Sequence, residues 1–207
     1  MSARGFTVAL IGCDGAGKTT VARALERDGH LPVRYLYMGV SADSSNRRLP
    51  TTRLAHGLKA RRVPLPRGPL RATLRLANRL AEEWYRQLLA EIDVRRGRIV
   101  VFDRHYTADF HAADVAARPR SLSRRVHGFL LMHAYPRPDL VVFLDAAPEV
   151  LFARKGEGTI ASLTRRRAEY LQLGAMHERF AVVDADRPLE AVLADVSSIV
   201  RDHGVAR

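Results

Sequence analysis

Phe6-Thr7-Val8-Ala9-Leu10-Ile11-Gly12-Cys13-Asp14-Gly15-Ala16-Gly17-Lys18-Thr19 decides how this chain folds. The run from Phe6 to Ile11 is apolar, rich in strand formers and closed by a glycine, the pattern of a buried parallel strand. Gly12 to Thr19 fits G-x-x-x-x-G-K-[ST] without exception. Glycines there let the backbone curl until its N–H groups converge on a phosphate. Lys18 then reaches the β- and γ-phosphates, and the Thr19 hydroxyl ligates Mg²⁺. Val21, Ala24 and Leu25, with Arg23, Glu26 and Arg27, continue as a helix that stops near Gly29 and adds partial positive charge behind the phosphates. The expected nucleotide-binding residues are therefore Gly12, Asp14, Gly15, Ala16, Gly17, Lys18, Thr19 and Thr20. ATP and Mg²⁺ are the expected cofactors, with Thr19 on the metal. A glycine-rich turn without a ligand leaves the lysine unexplained. Cys13 is read as a small residue that fits the loop, a helix-stabilised thiolate being the alternative.

Outward from this loop, apolar runs alternate with helical periods. Val33 to Met38, Ile99-Val100-Val101-Phe102, Leu140 to Leu144 and Phe180-Ala181-Val182-Val183 read as further strands, two of them ending in Asp103-Arg104 and Asp145. Leu70 to Arg95 reads as helix, because Leu70, Leu74, Ala77, Ala81, Trp84, Leu88 and Ile92 recur on one stripe. That stripe assigns Trp84 and Tyr85 to the core, with Glu82 and Arg86 as a favourable pair. Arg71, Arg75 and Arg79 make a second stripe. Leu122, Val126, Leu130 and His133 mark a helix that Pro136 cannot continue. Pro148 starts a short helix through Lys155, another lies around Ser162 to Leu173, and Pro188 opens a last one carrying Val192, Val196 and Val200. Such alternation implies a three-layer α/β fold: a parallel sheet of about five strands with helices on both faces, as one domain over residues 1–207.

A chain of 207 residues that is 47% hydrophobic suits one core. No stretch approaches about 18 consecutive apolar residues, so no membrane span is expected. The single cysteine excludes an internal disulfide framework and a cysteine zinc site, which with the lack of a span points to the cytoplasm. The net charge of +12 is concentrated: no Asp or Glu occurs between Ser44 and Ala81, a segment with ten Lys and Arg. A field of that size attracts a phosphorylated substrate, a nucleic acid or an anionic membrane; a solvated arginine-rich loop is the plainer reading. Overlapping it, residues 40–68 read as a long mobile excursion on the acceptor side. The segment from Ser44 to Ala81 lacks aromatics on which bases stack, which disfavours nucleic acid. No Asn-Lys-x-Asp string is present, which disfavours a GTPase.

In this order the motifs resemble the thymidylate kinases, a family of P-loop nucleoside monophosphate kinases. Gly12 through Thr20 is similar to their phosphate loop, where an acidic residue at the Asp14 position faces the acceptor nucleotide. Val101-Phe102-Asp103-Arg104-His105 resembles their Asp-Arg-Tyr/Phe segment, whose arginine clamps phosphates. Pro138-Asp139-Leu140 through Asp145-Ala146-Ala147-Pro148-Glu149 is similar to their strand-to-lid connection. Arg154 and Arg165-Arg166-Arg167 stand where their lid arginines stand, which implies a lid over 154–167. Val183-Asp184-Ala185-Asp186-Arg187-Pro188 resembles the segment that packs against adenine. The resemblance implies the P-loop kinase fold and transfer of the γ-phosphate of ATP to a nucleoside monophosphate. The thymine side departs from the family. Arg34-Tyr35-Leu36-Tyr37-Met38-Gly39 replaces its Arg-Glu-Pro string, His105 an aromatic and Ala108 a serine, and nothing after Phe110 matches its base-reading Tyr-Gln.

Phosphoryl transfer needs in-line positioning and cations over the equatorial oxygens. Lys18, Arg104, Arg154 and one or more of Arg165, Arg166 and Arg167 are the candidates. Arg104 follows a strand's carboxyl end, where open α/β sheets place ligands; a structural ion pair is its alternative. Asp14 and Asp103 carry the acceptor question, since a phosphate acceptor needs no base and a hydroxyl acceptor benefits from one. Asp103 is either that base or a Walker-B-type acid that holds Mg²⁺ through water. His105 and His111 lack ligand spacing and are read as non-metal. A nucleoside monophosphate is the first acceptor, and a nucleoside or sugar hydroxyl the second. A polynucleotide kinase or nucleic-acid-binding ATPase, and an idle ATP-binding module, come after. The oligomeric state stays open, a homodimer included.

Overall fold

The computed structural model describes residues 4–39, 49 and 69–206. The excursion expected over residues 40–68 lies outside these, apart from Leu49, as do the side chains of Leu70, Arg71 and Arg75. Five strands, β1 (Thr7–Ile11), β2 (Val33–Tyr37), β3 (Ile99–Asp103), β4 (Leu140–Asp145) and β5 (Phe180–Asp184), form one parallel sheet in the order β2-β3-β1-β4-β5. The three central strands read as continuous apolar runs because helices cover both of their faces. Val8, Ala9, Leu10, Val100, Val101 and Val142 are fully buried. Leu10 stands opposite Asp103 on one side of β1, and Ile11 opposite Phe143 on the other. The chain winds first to the β2 side and then to the β4 side, so its direction reverses at β1. The crevice at the strand carboxyl ends opens there, and the loop from Gly12 to Gly17 fills it.

Helix α1 (Lys18–Asp28) leaves this loop directly. Gly12 adopts φ 147°, and a Cβ on it would stand 2.6 Å from the Leu144 carbonyl oxygen. No other residue lets the loop pass so close to β4. Helix α2 (Pro69–Arg95) precedes β3, and α3 (Tyr106–Phe110) continues without a break into a π-helical turn, His111–Ala116. After them come α4 (Leu122–His133), α5 (Pro148–Lys155), α6 (Ile160–Leu173) and α7 (Leu189–Val205). A capping box between Thr159 and Ser162 starts α6, and Val192, Val196 and Val200 bury α7 against the sheet. Among the described residues no helix is long and apolar enough to cross a membrane.

One expectation is reversed. The apolar stripe of α2 does not face the core: Leu74, Trp84, Leu88 and Ile92 are exposed, and Tyr85 is half-buried. The buried face carries Glu82, Glu83, Arg86, Gln87, Ala90 and Val94. Charge is tolerated there because each ion finds partners. Arg86 donates to the Gly39 carbonyl at 2.9 Å and pairs with Glu82 at 3.0 Å. Glu83 accepts from the Tyr135 hydroxyl at 2.8 Å and faces His127 at 3.0 Å. The Glu82–Arg86 pair expected from spacing is present, but in the interior. Periodicity locates a face without saying which way it turns.

Candidate active site

The phosphate loop brings its own lysine under the backbone. Lys18 is buried, and Nζ donates to the carbonyls of Gly12 (2.8 Å) and Cys13 (2.7 Å). Burial, helped by nearby Arg104, pushes its ammonium down to about 8. Cys13 is buried too, and burial raises its thiol, which removes the helix-stabilised thiolate as a reading. Thr19 and Thr20 lie exposed in the first turn of α1.

Asp103 ends β3 beside that turn and is completely buried. Its Oδ2 accepts from the Thr19 hydroxyl at 2.6 Å and from the Tyr35 hydroxyl at 3.2 Å. Its Oδ1 has no hydrogen-bond partner among the described residues. A hydroxyl on a helix N-terminus and a carboxylate with an uncommitted oxygen suit a hard divalent cation that keeps several waters. Mg²⁺ therefore fits the residues present, and Thr19 and Asp103 would hold it.

Arg104 follows at once and adopts φ 71°, a left-handed conformation that strains a residue with a side chain and marks functional turns. Its guanidinium pairs with Asp14 of the phosphate loop and lies 4.0 Å from Asp109 of α3. Burial alone would raise Asp14, but Arg104 and Lys18 outweigh it and hold the carboxyl below its ordinary value. Burial governs Asp109 instead and pushes it up to about 6, against Arg104, Lys18 and Arg166. Burial would lower Arg104 as well, yet the two carboxylates raise it. His105, next in sequence, is fully buried and driven down to about 3. Its Nδ1 meets the Thr107 hydroxyl at 2.6 Å, so it serves as neutral packing between Phe102 and Tyr106.

A cavity of about 910 Å³ opens in front of these groups. Asp14, Asp109 and His111 line one wall; Arg166, Glu169 and Tyr170 of α6 line the other. Helical phase separates the three consecutive arginines. Arg166 lines the cavity while still exposed, and there Tyr170, Asp14 and Asp109 raise it against burial. Arg167 makes two 2.6 Å hydrogen bonds to Asp145 and ties α6 to the end of β4. Arg165 is mostly solvent-exposed at the cavity rim, 3.8 Å from Glu169. Arg154 is not among the lining residues; it donates to the Ala185 carbonyl at 2.9 Å, in the connection after β5. Asp14 and Arg166 thus line one space, Arg104 and Lys18 stand behind Asp14 and act on its carboxyl, and Arg154 lies toward Ala185. Asp109 and Tyr170 escaped the sequence reading. A second acid five residues beyond Arg104 was the available signal for Asp109.

No protein-family model matches the chain. Over 200 residues it is 29% identical to a probable thymidylate kinase of Pyrobaculum aerophilum, an alignment that covers 94% of this chain and 95% of that relative. A solved thymidylate kinase from Candida albicans superposes with a TM-score of 0.68 at 17% identity, covering 99% of this chain and 94% of that one. The second likeness bears on the fold, and the first extends it to sequence. By sequence over almost its whole length, and by fold, the chain is thymidylate kinase-like.

Proposed function

We propose that this chain, acting as a single kinase domain, transfers the γ-phosphate of ATP to a nucleoside monophosphate. The observation that carries this reading is the ion pair between Asp14 and Arg104, which joins the phosphate loop to the mouth of the 910 Å³ cavity. A donor phosphate held by the loop amides and Lys18 would meet an acceptor phosphate held by Arg104 across a short distance, as in-line transfer requires. Thr19 and Asp103 hold Mg²⁺ in this scheme, and the ion supplies neutralising charge when bound. In that use Asp103 serves the metal, with its Oδ2 accepting from the Thr19 and Tyr35 hydroxyls. Arg166 reaches over from α6 as the lid cation, while Arg154 supports the purine side through Ala185. A cytoplasmic setting suits this use of ATP.

The acceptor is tested by following ADP release with ATP–Mg²⁺ and a panel of dTMP, other nucleoside monophosphates, thymidine and sugars. Turnover with a monophosphate and none with hydroxyl acceptors is expected; turnover with thymidine or a sugar alone would replace this reading with the hydroxyl one.

We also infer a homodimer, built on the exposed stripe of α2. Leu74, Trp84, Leu88 and Ile92 are 52%, 44%, 58% and 37% exposed, too much apolar surface for a helix that faces only water. Trp84 packs at 5.1 Å beside Tyr135, just past α4, whose Val126 and Phe129 are exposed as well. From Leu74 to Ile92 the stripe runs about 27 Å. Flanked by α4, it approaches the roughly 800 Å² per partner of a standard interface.

A further inference from the structure

Arg104 is gripped by carboxylates from two separate elements, Asp14 in the phosphate loop and Asp109 in α3. In a kinase whose acceptor is itself a phosphate, that arrangement creates a conflict. A phosphate that reaches Arg104 brings up to two negative charges beside both acids. The guanidinium cannot change its charge, so relief has to come from the acid side. Asp14 is the wrong acid for this, being held firmly ionised by Arg104 and Lys18.

Asp109 is differently placed. Its side chain is 6% exposed and borders the cavity together with Asp14 and Arg166. Arg104 faces it from the β3–α3 connection, Lys18 from α1, Asp14 from the loop, and Arg166 and Tyr170 from α6. Three cations surround it, and still burial keeps its carboxyl near 6. An incoming phosphate draws those cations toward itself and adds repulsion, and both effects favour the protonated acid.

We propose that Asp109 is a positioning residue for Arg104, and that it takes a proton from solvent when an acceptor phosphate engages that arginine. Asp109 thereby stops competing for Arg104. Acceptor binding is then linked to proton uptake. This rests on the phosphate-acceptor reading given above.

The test is calorimetric titration of the intact protein with dTMP at pH 7, in buffers of different ionisation enthalpy, for wild type and Asp109→Asn. In the free protein Asp109 is mostly ionised at pH 7, so uptake of up to one proton per dTMP is expected. Asp109→Asn should lose that uptake and bind dTMP at least as tightly. In steady state the wild-type KM for dTMP should climb with pH above 6, by up to about tenfold per unit. The variant should stay flat between pH 6.5 and 7.5, below the range in which Lys18 titrates, with the ATP KM unchanged in both. Equal proton counts in the two proteins would assign the uptake to the nucleotide's own second ionisation and overturn the proposal. So would dTMP binding to wild type without any uptake. No binding of dTMP or of any other nucleoside monophosphate would overturn the acceptor reading, and this inference with it.

Discussion

Among the described residues Lys18 hydrogen-bonds only to two loop carbonyls, so truncating it removes charge from the phosphates and little from the core. Lys18→Ala is expected to lower turnover by about 100-fold or more while thermal unfolding shifts by only a few degrees; comparable activity in the variant would remove the loop lysine from the mechanism. Arg104→Ala is expected to weaken acceptor binding as well as turnover, because the same guanidinium anchors the far side of the reaction. An unchanged acceptor KM would assign it a purely structural ion pair with Asp14. Asp109 makes a stability prediction with a definite sign. Its folded value near 6 lies above the roughly 3.9 of an unfolded aspartate. The native state therefore binds more protons than the unfolded one between about pH 4 and 6, and stability falls as pH rises through that window. Asp109→Asn should stabilise the protein at pH 7 to 8 by up to about 2 to 3 kcal/mol, a gain that fades toward pH 4. Denaturant unfolding at the two pH values measures it, and a loss of stability at pH 8 would contradict the assignment.

Among the elements, α2 and α4 are joined by a buried polar seam. His127 is fully buried, with Nδ1 2.6 Å from Asp114 in the π-helical turn and Nε2 3.0 Å from Glu83 of α2. Because that turn also lines the cavity, the seam fixes the acceptor-side wall. Glu83→Ala leaves the histidine and the Tyr135 hydroxyl facing a void, and should cost about 3 to 5 kcal/mol in denaturant unfolding. A cost under about 1 kcal/mol would mean the seam is not structural. Gly128 permits the close approach of α4, since a Cβ there would run into the Asp114 carbonyl. This seam was invisible in the sequence. Tyr106 to Ala116 is too short and too irregular for a helical period, and no local pattern links Glu83 to residues 31 and 44 positions away. The strands were legible, because both faces of a parallel sheet are buried and the apolar runs are unbroken. The phosphate loop was legible for a different reason, since its chemistry tolerates few residue types at fixed spacing. Which of Arg165, Arg166 and Arg167 faces Asp14 and Asp109 depends on helical phase relative to β4, and a run of identical residues hides that phase.

At the scale of the whole molecule, the inverted helix α2 and the concentrated positive charge are the features an isolated kinase fold leaves unexplained. If the apolar stripe is the contact between two copies, then Leu88→Glu should convert a dimer into a monomer in sedimentation velocity, with the monomer still folded. A monomeric wild type at tens of micromolar would rule out the homodimer. The ATP half of the site depends on β1, α1 and β3 within one chain, so that dissociation should leave nucleotide affinity largely intact.

The central claim is that one phosphoryl group passes from ATP, on the loop from Gly12 to Thr19, to a phosphate held at Arg104. Phosphorus NMR of the protein with ATP, Mg²⁺ and dTMP follows that group directly. The γ-phosphorus signal of ATP should decline as the signals of ADP and a nucleoside diphosphate rise together in equal amounts. Release of the same signal as inorganic phosphate alone, or no change in ATP over the same period with any nucleoside monophosphate, would contradict it.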